Sequence, residues 1–377
     1  MTLGKFKLKH YINYIVIGIV TVVLGIISLT GGRFDNSLLF LLEKVAISII
    51  LAVSLSLVVG FLGELSLGHA GFMCVGAYIG GKVAALLVPA LGNGPVAFLI
   101  ALLVGGGTAA LCGIVIGIPA LRLRGDYLAI VTLAFGEIVK SLFQNSSDDS
   151  FGGSLGLETP RYDKSYLFII AFVLVLITLA VVQNLMRSKH GRAITAIRDN
   201  EIAARATGTN VTKYKLLAFT LSAAFAGVAG VLYSYSNYNV QSAKFGYNYS
   251  IEILVMVVLG GMGSINGSII AATLITFLNT KLATVLTGDL AVLQNLLYAL
   301  ILIVIVIYNN APALKGFRDK YNLGVLVDKI RAHDPAHIRD DKAKWDVVPT
   351  KISMDEILSV DFTPQSDGSD GKKGGDR

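Results

Sequence analysis

KVAISIILAVSLSLVVGFLGELSLGHAGFMCVGAYIGGKVAALLV, residues 44–88, contains two apolar runs joined by a glycine-rich break. Runs 44–62 and 66–88 are each long enough to cross a hydrocarbon layer of ~30 Å as a helix, which takes about 20 residues. Between and around their ends lie Gly60, Gly63, Gly68 and Gly71, with Glu64, Ser66 and His69 among them. A helix interrupted there frees backbone amides and carbonyls, and membrane transporters place substrate paths along such glycine-interrupted segments. His69 has two readings, a hydrogen-bonded packing residue or a proton carrier, and no neighbour in the sequence completes a relay.

Outward from this stretch, further apolar runs cover 12–30, 96–119, 126–143, 166–186, 213–236, 250–262, 267–283 and 291–308. The expectation is an all-α polytopic bundle of about ten membrane segments, with 250–262 and 267–283 short enough to be tilted or broken. Pro89, Pro95, Pro119, Pro160 and Pro312 all fall at the ends of runs or between them, where a missing amide does no harm to a helix interior. Run 12–30 is long for a signal-peptide core and no small-residue cleavage site follows, so it reads as an uncleaved first span.

Composition agrees. Of 377 residues, 54% are hydrophobic and 15% charged, against about 25% charged in soluble domains, which argues against a soluble enzyme of this length. Forty glycines without a fixed period suit closely packed membrane helices. The spacings Gly76/Gly80, Gly113/Gly117 and Ala223/Gly227 predict close helix contacts, within the chain or with a second subunit. Cys74 and Cys112 lie in apolar runs and read as small packing residues.

The net charge of +7 is unevenly placed. Lys5, Lys7 and Lys9 contribute three positive charges, and residues 187–215 carry seven Lys/Arg against two acidic residues, while 315–377 hold twelve of each sign. With a cytoplasmic N-terminus, fifteen cations fall on inside flanks and four (Arg33, Arg161, Lys164, Lys244) outside. That asymmetry predicts an even number of crossings with both termini in the cytoplasm, and argues for a membrane rather than a nucleic-acid partner. The expected organisation is a cytoplasmic N-terminus 1–11, a transmembrane domain 12–308 containing a cytoplasmic loop 187–213, and a cytoplasmic, partly disordered tail 309–377, in which 323–330 reads as a short amphipathic helix or a solvated extension.

Two groups of candidate site residues follow. In the connector 186–215, Asp199 or Asn200 is placed to cap a helix whose first turn holds Glu201 and whose end is set by Gly208, about two turns and ~12 Å long. Too short to stand alone, it needs a surface to lie against. Arg198, Asp199, Glu201, Ala203, Ala204 and Gly208 are the candidate contacts, and the alternative is a basic loop that only sets topology. The second group is the candidate translocation path. Gly63, Glu64, Ser66, Gly68 and His69 belong to the first break, and VVLGGMGSINGSII echoes it with Gly260, Gly261 and Gly263. Glu137 joins them as an ionisable group within a span, three residues from Lys140. Lys82 and Glu252, with no opposite charge at helical spacing in the sequence, read either as facing the bundle interior or a water-filled path or as snorkelling from the outer ends. No phosphate-binding loop, H-E-x-x-H or G-x-S-x-G motif is present, so energy-driven work would need ATP chemistry on another chain, and no metal site is expected.

GELSLGHAGF (63–72), LRLRGDYLAIVTLAFGEIVK (121–140), GGSLGL (152–157), GRAITAIRDNEIAARATGTNVTKYKLLAF (191–219) and SIEILVMVVLGGMGSINGS (250–268) together resemble the permease subunits of branched-chain amino acid ABC importers, of the LivM type. The first span and the tail carry no matching motif. The resemblance implies a non-catalytic subunit in the inner membrane of a prokaryote, forming half of a pore with a LivH-type permease. It further implies two cytoplasmic ATPase subunits holding ATP and Mg, an extracytoplasmic substrate-binding protein, and no cofactor in this chain. It implies that Glu201, Ala203, Ala204 and Gly208 correspond to the EAA-x-x-x-G element that docks on the ATPase, with Ile202 departing from the pattern. Importers of the same class carrying urea, short amides or another small polar solute share these motifs. An ion-coupled carrier would need mid-membrane carboxylates, for which Glu137 and Glu252 are the candidates.

Overall fold

The computed structural model describes residues 36–92, 94–123, 125–160 and 164–285, with isolated positions at 18, 299, 300 and 303. The expected spans 12–30 and 291–308, the N-terminal segment and the tail lie outside these residues, apart from the isolated positions.

Within the described residues, helices form where the long apolar runs fall. α1 (Asn36–Ser56) continues through a wider π-helical turn, Leu57–Leu62. α2 is His69–Leu91, α3 Pro95–Ala120 and α4 Asp126–Gln144. After a four-residue turn of helix, α5 (Asp148–Phe151), come α6 (Lys164–Arg187), α7 (Lys189–Asp199) and α8 (Glu201–Ala206). α9 (Val211–Asn237), α10 (Tyr247–Gly260) and α11 (Ile265–Val285) complete the described chain. Among the described residues, six stretches are long and apolar enough to cross a membrane: Asn36–Leu62, His69–Ala90, Pro95–Ala120, Tyr166–Arg187, Val211–Asn237 and Ile265–Thr284. α4, with Asp126, Glu137 and Lys140, and the 14-residue α10 lie at two further expected positions. Pro95 opens α3, while Pro89 and Pro119 sit in the last turns of α2 and α3.

Small residues set the helix contacts, because between helices in lipid close packing, rather than expulsion of water, provides the attraction. A Cβ at Gly76 of α2 would collide with the Gly227 backbone of α9, and one at Gly113 of α3 would lie 2.7 Å from Ala223 Cβ. The spacings noted in the sequence are thus used inside the chain, holding α2, α3 and α9 together. α1 is buried on nearly all sides from Val45 to Gly60, enclosed by α6, α9, α10 and α11. Outward faces remain apolar, as on α3 where Leu103 and Val115 are exposed.

The connections sort to two ends. At one, Leu157–Glu158 (β1) pairs antiparallel with Asn239–Val240 (β2), and the Tyr78 hydroxyl donates to the Val240 carbonyl at 2.9 Å. At the other, residues 60–64, the α3–α4 turn, the connector and the α10–α11 turn meet.

Candidate functional site

The connector folds into two helices because side chains cap each start. The Ser188 hydroxyl accepts the amides of His190 and Gly191, opening α7. Asn200, in extended conformation, accepts the Ala203 amide at 3.0 Å and opens α8. Gly208 has φ +82°, a left-handed conformation that ends the helix, and its amide returns to the Arg205 carbonyl at 3.1 Å. The capping residue is therefore Asn200 rather than Asp199, whose exposed carboxylate pairs with Arg198 at 2.9 Å. α8 has six residues, about 9 Å at 1.5 Å per residue, shorter than the two turns expected. The preceding 11-residue α7 was not anticipated from the sequence.

Neither helix stands alone. Ala204 is buried with Ile194, Ile197, Val211, Ala218 and Leu62, an apolar cluster separate from the main core. It ties the connector to the end of α1 and the start of α9. Ala203 faces outward, and Ile202 beside it is 77% exposed. The residue that breaks the sequence pattern thus projects from the tip of the connector.

Beneath α8, Lys215 of α9 is 4% exposed and pairs with both Glu64 and Glu201, the latter at 3.0 Å. Glu201 also accepts Arg205 at 2.8 Å through its other oxygen. Two carboxylates and two cations compensate one another in a partly buried site, which such charges require. Two candidate groups that looked separate in the sequence, the glycine break and the connector, therefore share one ammonium.

A second link runs through Arg198. Its guanidinium donates to the Gly60 carbonyl at 3.3 Å, and its side-chain stem fills the space where Gly63 would carry a Cβ. The two glycine breaks also meet: a Cβ at Gly60 would fall 2.6 Å from the Gly263 amide nitrogen. Gly260 packs on Gly267, and Gly261 takes φ +89° in the turn into α11. The internal echo in the sequence corresponds to two backbones in close contact, with Arg198 beside both.

Residues 63–68 lie between the helices α1 and α2, and neighbours satisfy them. The Leu67 amide donates to the Thr132 hydroxyl at 3.0 Å, and Gly68 abuts the Thr132 carbonyl. The Ala70 amide donates to Ser250 at 3.1 Å, and Ser66 is buried. His69 Nε2 lies 2.9 Å from the Ser54 hydroxyl in a fully packed setting, which matches the packing reading. Glu137 lies away from this site: it pairs with Lys140 at 2.9 Å and accepts the Tyr247 amide at 2.8 Å, capping α10. Glu252 accepts the Asn279 amide group at 3.0 Å.

Lys215 escaped the sequence reading because it appeared as one of seven connector cations, with nothing to show that it alone is buried. Its position four residues into an apolar helix, rather than in the loop, was the available signal. Thr132, Ser54 and Ser250 had none, since single hydroxyls in apolar helices commonly bond their own backbone.

Residues 37–307 match the family described as branched-chain amino acid transport system, permease component. The chain is 41% identical over 260 residues to the high-affinity branched-chain amino acid transport system permease protein LivM of Salmonella typhimurium, covering 61% of this chain and 60% of that protein. It is 27% identical over 315 residues to the ribose import permease protein RbsC of Escherichia coli, covering 77% of this chain and 91% of that protein. Among solved structures it is similar to a metal-chelate type ABC transporter in an inward-facing conformation, with TM-score 0.44 and 17% identity over 78% of this chain and 97% of that one. The chain thus spans about three-fifths of the length of the LivM relative.

Proposed function

The chain belongs to the branched-chain amino acid transport system permease family, and we propose on that basis that it forms half of the translocation path of an ATP-driven importer of aliphatic amino acids. Its partners are a second, LivH-type permease, two cytoplasmic ATPase subunits carrying ATP and Mg, and an extracytoplasmic binding protein. The bundle crosses the inner membrane about ten times, with both termini in the cytoplasm and no catalytic group of its own.

In this reading α8 is the coupling helix. One observation carries it: Lys215 joins Glu201 of α8 to Glu64 of the glycine break. A displacement of α8 by an ATPase would pass to residues 60–64 through that ion pair, the Ala204–Leu62 apolar cluster and Arg198. The contact of Gly60 with Gly263 would then relay it to the second break. Small residues suit a surface that must slide, since no side chain interlocks across it.

The test is reconstitution of the five-subunit complex in proteoliposomes. Wild type should take up leucine with ATP, and Lys215→Met should retain ATPase activity while losing most binding-protein-stimulated uptake. Leucine uptake unchanged in that variant would overturn the coupling path. Similarity to a ribose permease keeps cargo a separate question; uptake of ribose or urea with no response to leucine would replace the cargo and leave the coupling reading in place.

A further inference from the structure

At the end of the bundle opposite Glu64 and Lys215, a cavity of about 550 Å³ opens between α1, α9, α10 and α11. That size lies in the range of ~300–1,000 Å³ typical of small-ligand pockets. Its wall is divided by chemistry. Phe40, Ile47, Phe245 and Met256 supply apolar surface, while Lys44, Lys244, Glu252, Asn279 and Thr276 supply polar groups.

The charged groups are of both signs and belong to different elements. The Lys44 ammonium stands 4.5 Å above the Phe40 ring, and among the described residues neither it nor Lys244 is within salt-bridge distance of a carboxylate. Glu252 is held in place by Asn279 at 3.0 Å. Thr276 is 7% exposed, and its buried hydroxyl has no hydrogen-bond partner among the described residues. An unsatisfied buried hydroxyl is costly, and a ligand atom at the cavity wall would supply its missing partner. Nothing in the coupling path uses any of these groups.

We propose that this cavity is a receiving site for an α-amino acid zwitterion with an aliphatic side chain, formed within this one subunit. The carboxylate would lie between Lys44 and Lys244, the ammonium against Glu252 and Thr276, and the side chain on Ile47, Phe245 and Met256. The cavity wall carries groups of both signs, which match the two charges of the zwitterion and which an uncharged sugar or amide cannot engage. The site rests on the importer reading for its occupant and lies at the extracytoplasmic end under the topology given above.

Thiol labelling reads the cavity directly. In the full complex in nanodiscs, with Cys74→Ala and Cys112→Ala as background, Ala283→Cys puts a thiol at the rim, since Ala283 is exposed and lines the cavity. Leucine should slow its reaction with an impermeant maleimide in a saturable manner. Leucine amide, which lacks the carboxylate, and 4-methylpentanoate, which lacks the ammonium, should each protect about tenfold less effectively, the loss of one charge-assisted contact. Glu252→Gln should remove the preference for leucine over 4-methylpentanoate, and Lys44→Met that for leucine over leucine amide. Equal labelling with and without millimolar leucine, equal protection by ribose, or protection indifferent to both variants would each overturn the site. Leucine uptake is measured on the same complexes: uptake without protection rejects this site alone, whereas absence of uptake rejects the cargo reading while labelling still decides the cavity.

Discussion

Lys215 is held where a lone ammonium could not stay, at 4% exposure between Glu64 and Glu201. Removing one partner from such a buried pair costs about 3–5 kcal/mol, because the remaining charges stay desolvated. Lys215→Met should therefore lower the midpoint of thermal unfolding in detergent, and adding Glu64→Gln should restore part of the loss, since the two changes act on one contact. If the double variant is as unstable as the sum of the singles, the pair carries no coupling. Gly208 gives a different test. Nothing lies within 4 Å of where its Cβ would be, so the penalty at φ +82° is conformational, about 1–2 kcal/mol for any L side chain. Gly208→Ala should keep most uptake, whereas Gly208→Leu pushes a bulky group into the space that the proposed ATPase contact would occupy and should abolish uptake with insertion intact. Equal uptake by the two would show that no partner surface passes there. The chemistry of these residues was visible in the sequence; their distances were not, because Glu64 and Lys215 are 151 positions apart.

At the level of elements, α8 is six residues long, below the length at which a helix persists in water. Its order comes from the Asn200 cap and from burial of Ala204, so Asn200→Ala should cost about 1 kcal/mol of local stability, read as faster amide exchange at Ala203 to Arg205. Ile202 faces out from the same helix. Ile202→Asp should leave the permease folded and inserted while reducing co-purification of the ATPase subunits about tenfold, as expected for losing one apolar anchor; undiminished co-purification would place the docking contact elsewhere. The cap, the acidic first turn and the stopping glycine of α8 were all legible, because capping is local. That a second helix, α7, precedes it was not, since its burial of Ile194 and Ile197 depends on the end of α1 arriving there.

Across the whole molecule, eight of the ten expected segments fall in the described residues, and each contains a helix. The cation-rich connections meet at the end that holds Lys215, and β1 and β2 pair at the other. Under the proposed topology, cysteines introduced singly as Lys189→Cys and Leu155→Cys in a cysteine-free background must react with impermeant reagent from opposite sides of the membrane. Reaction of both from one side would reject it. The sequence by itself determined the helical class, the membrane setting and the positions of the eight described apolar segments, because hydropathy over ~20 residues acts along the chain, and its motif blocks carried the family resemblance. Only the tertiary structure decided that the two glycine breaks touch, that small residues at 76, 113 and 227 face inward, and that one buried lysine joins connector and break. Those facts depend on which helix faces join across the bundle, and that choice is made by close packing between segments distant in sequence.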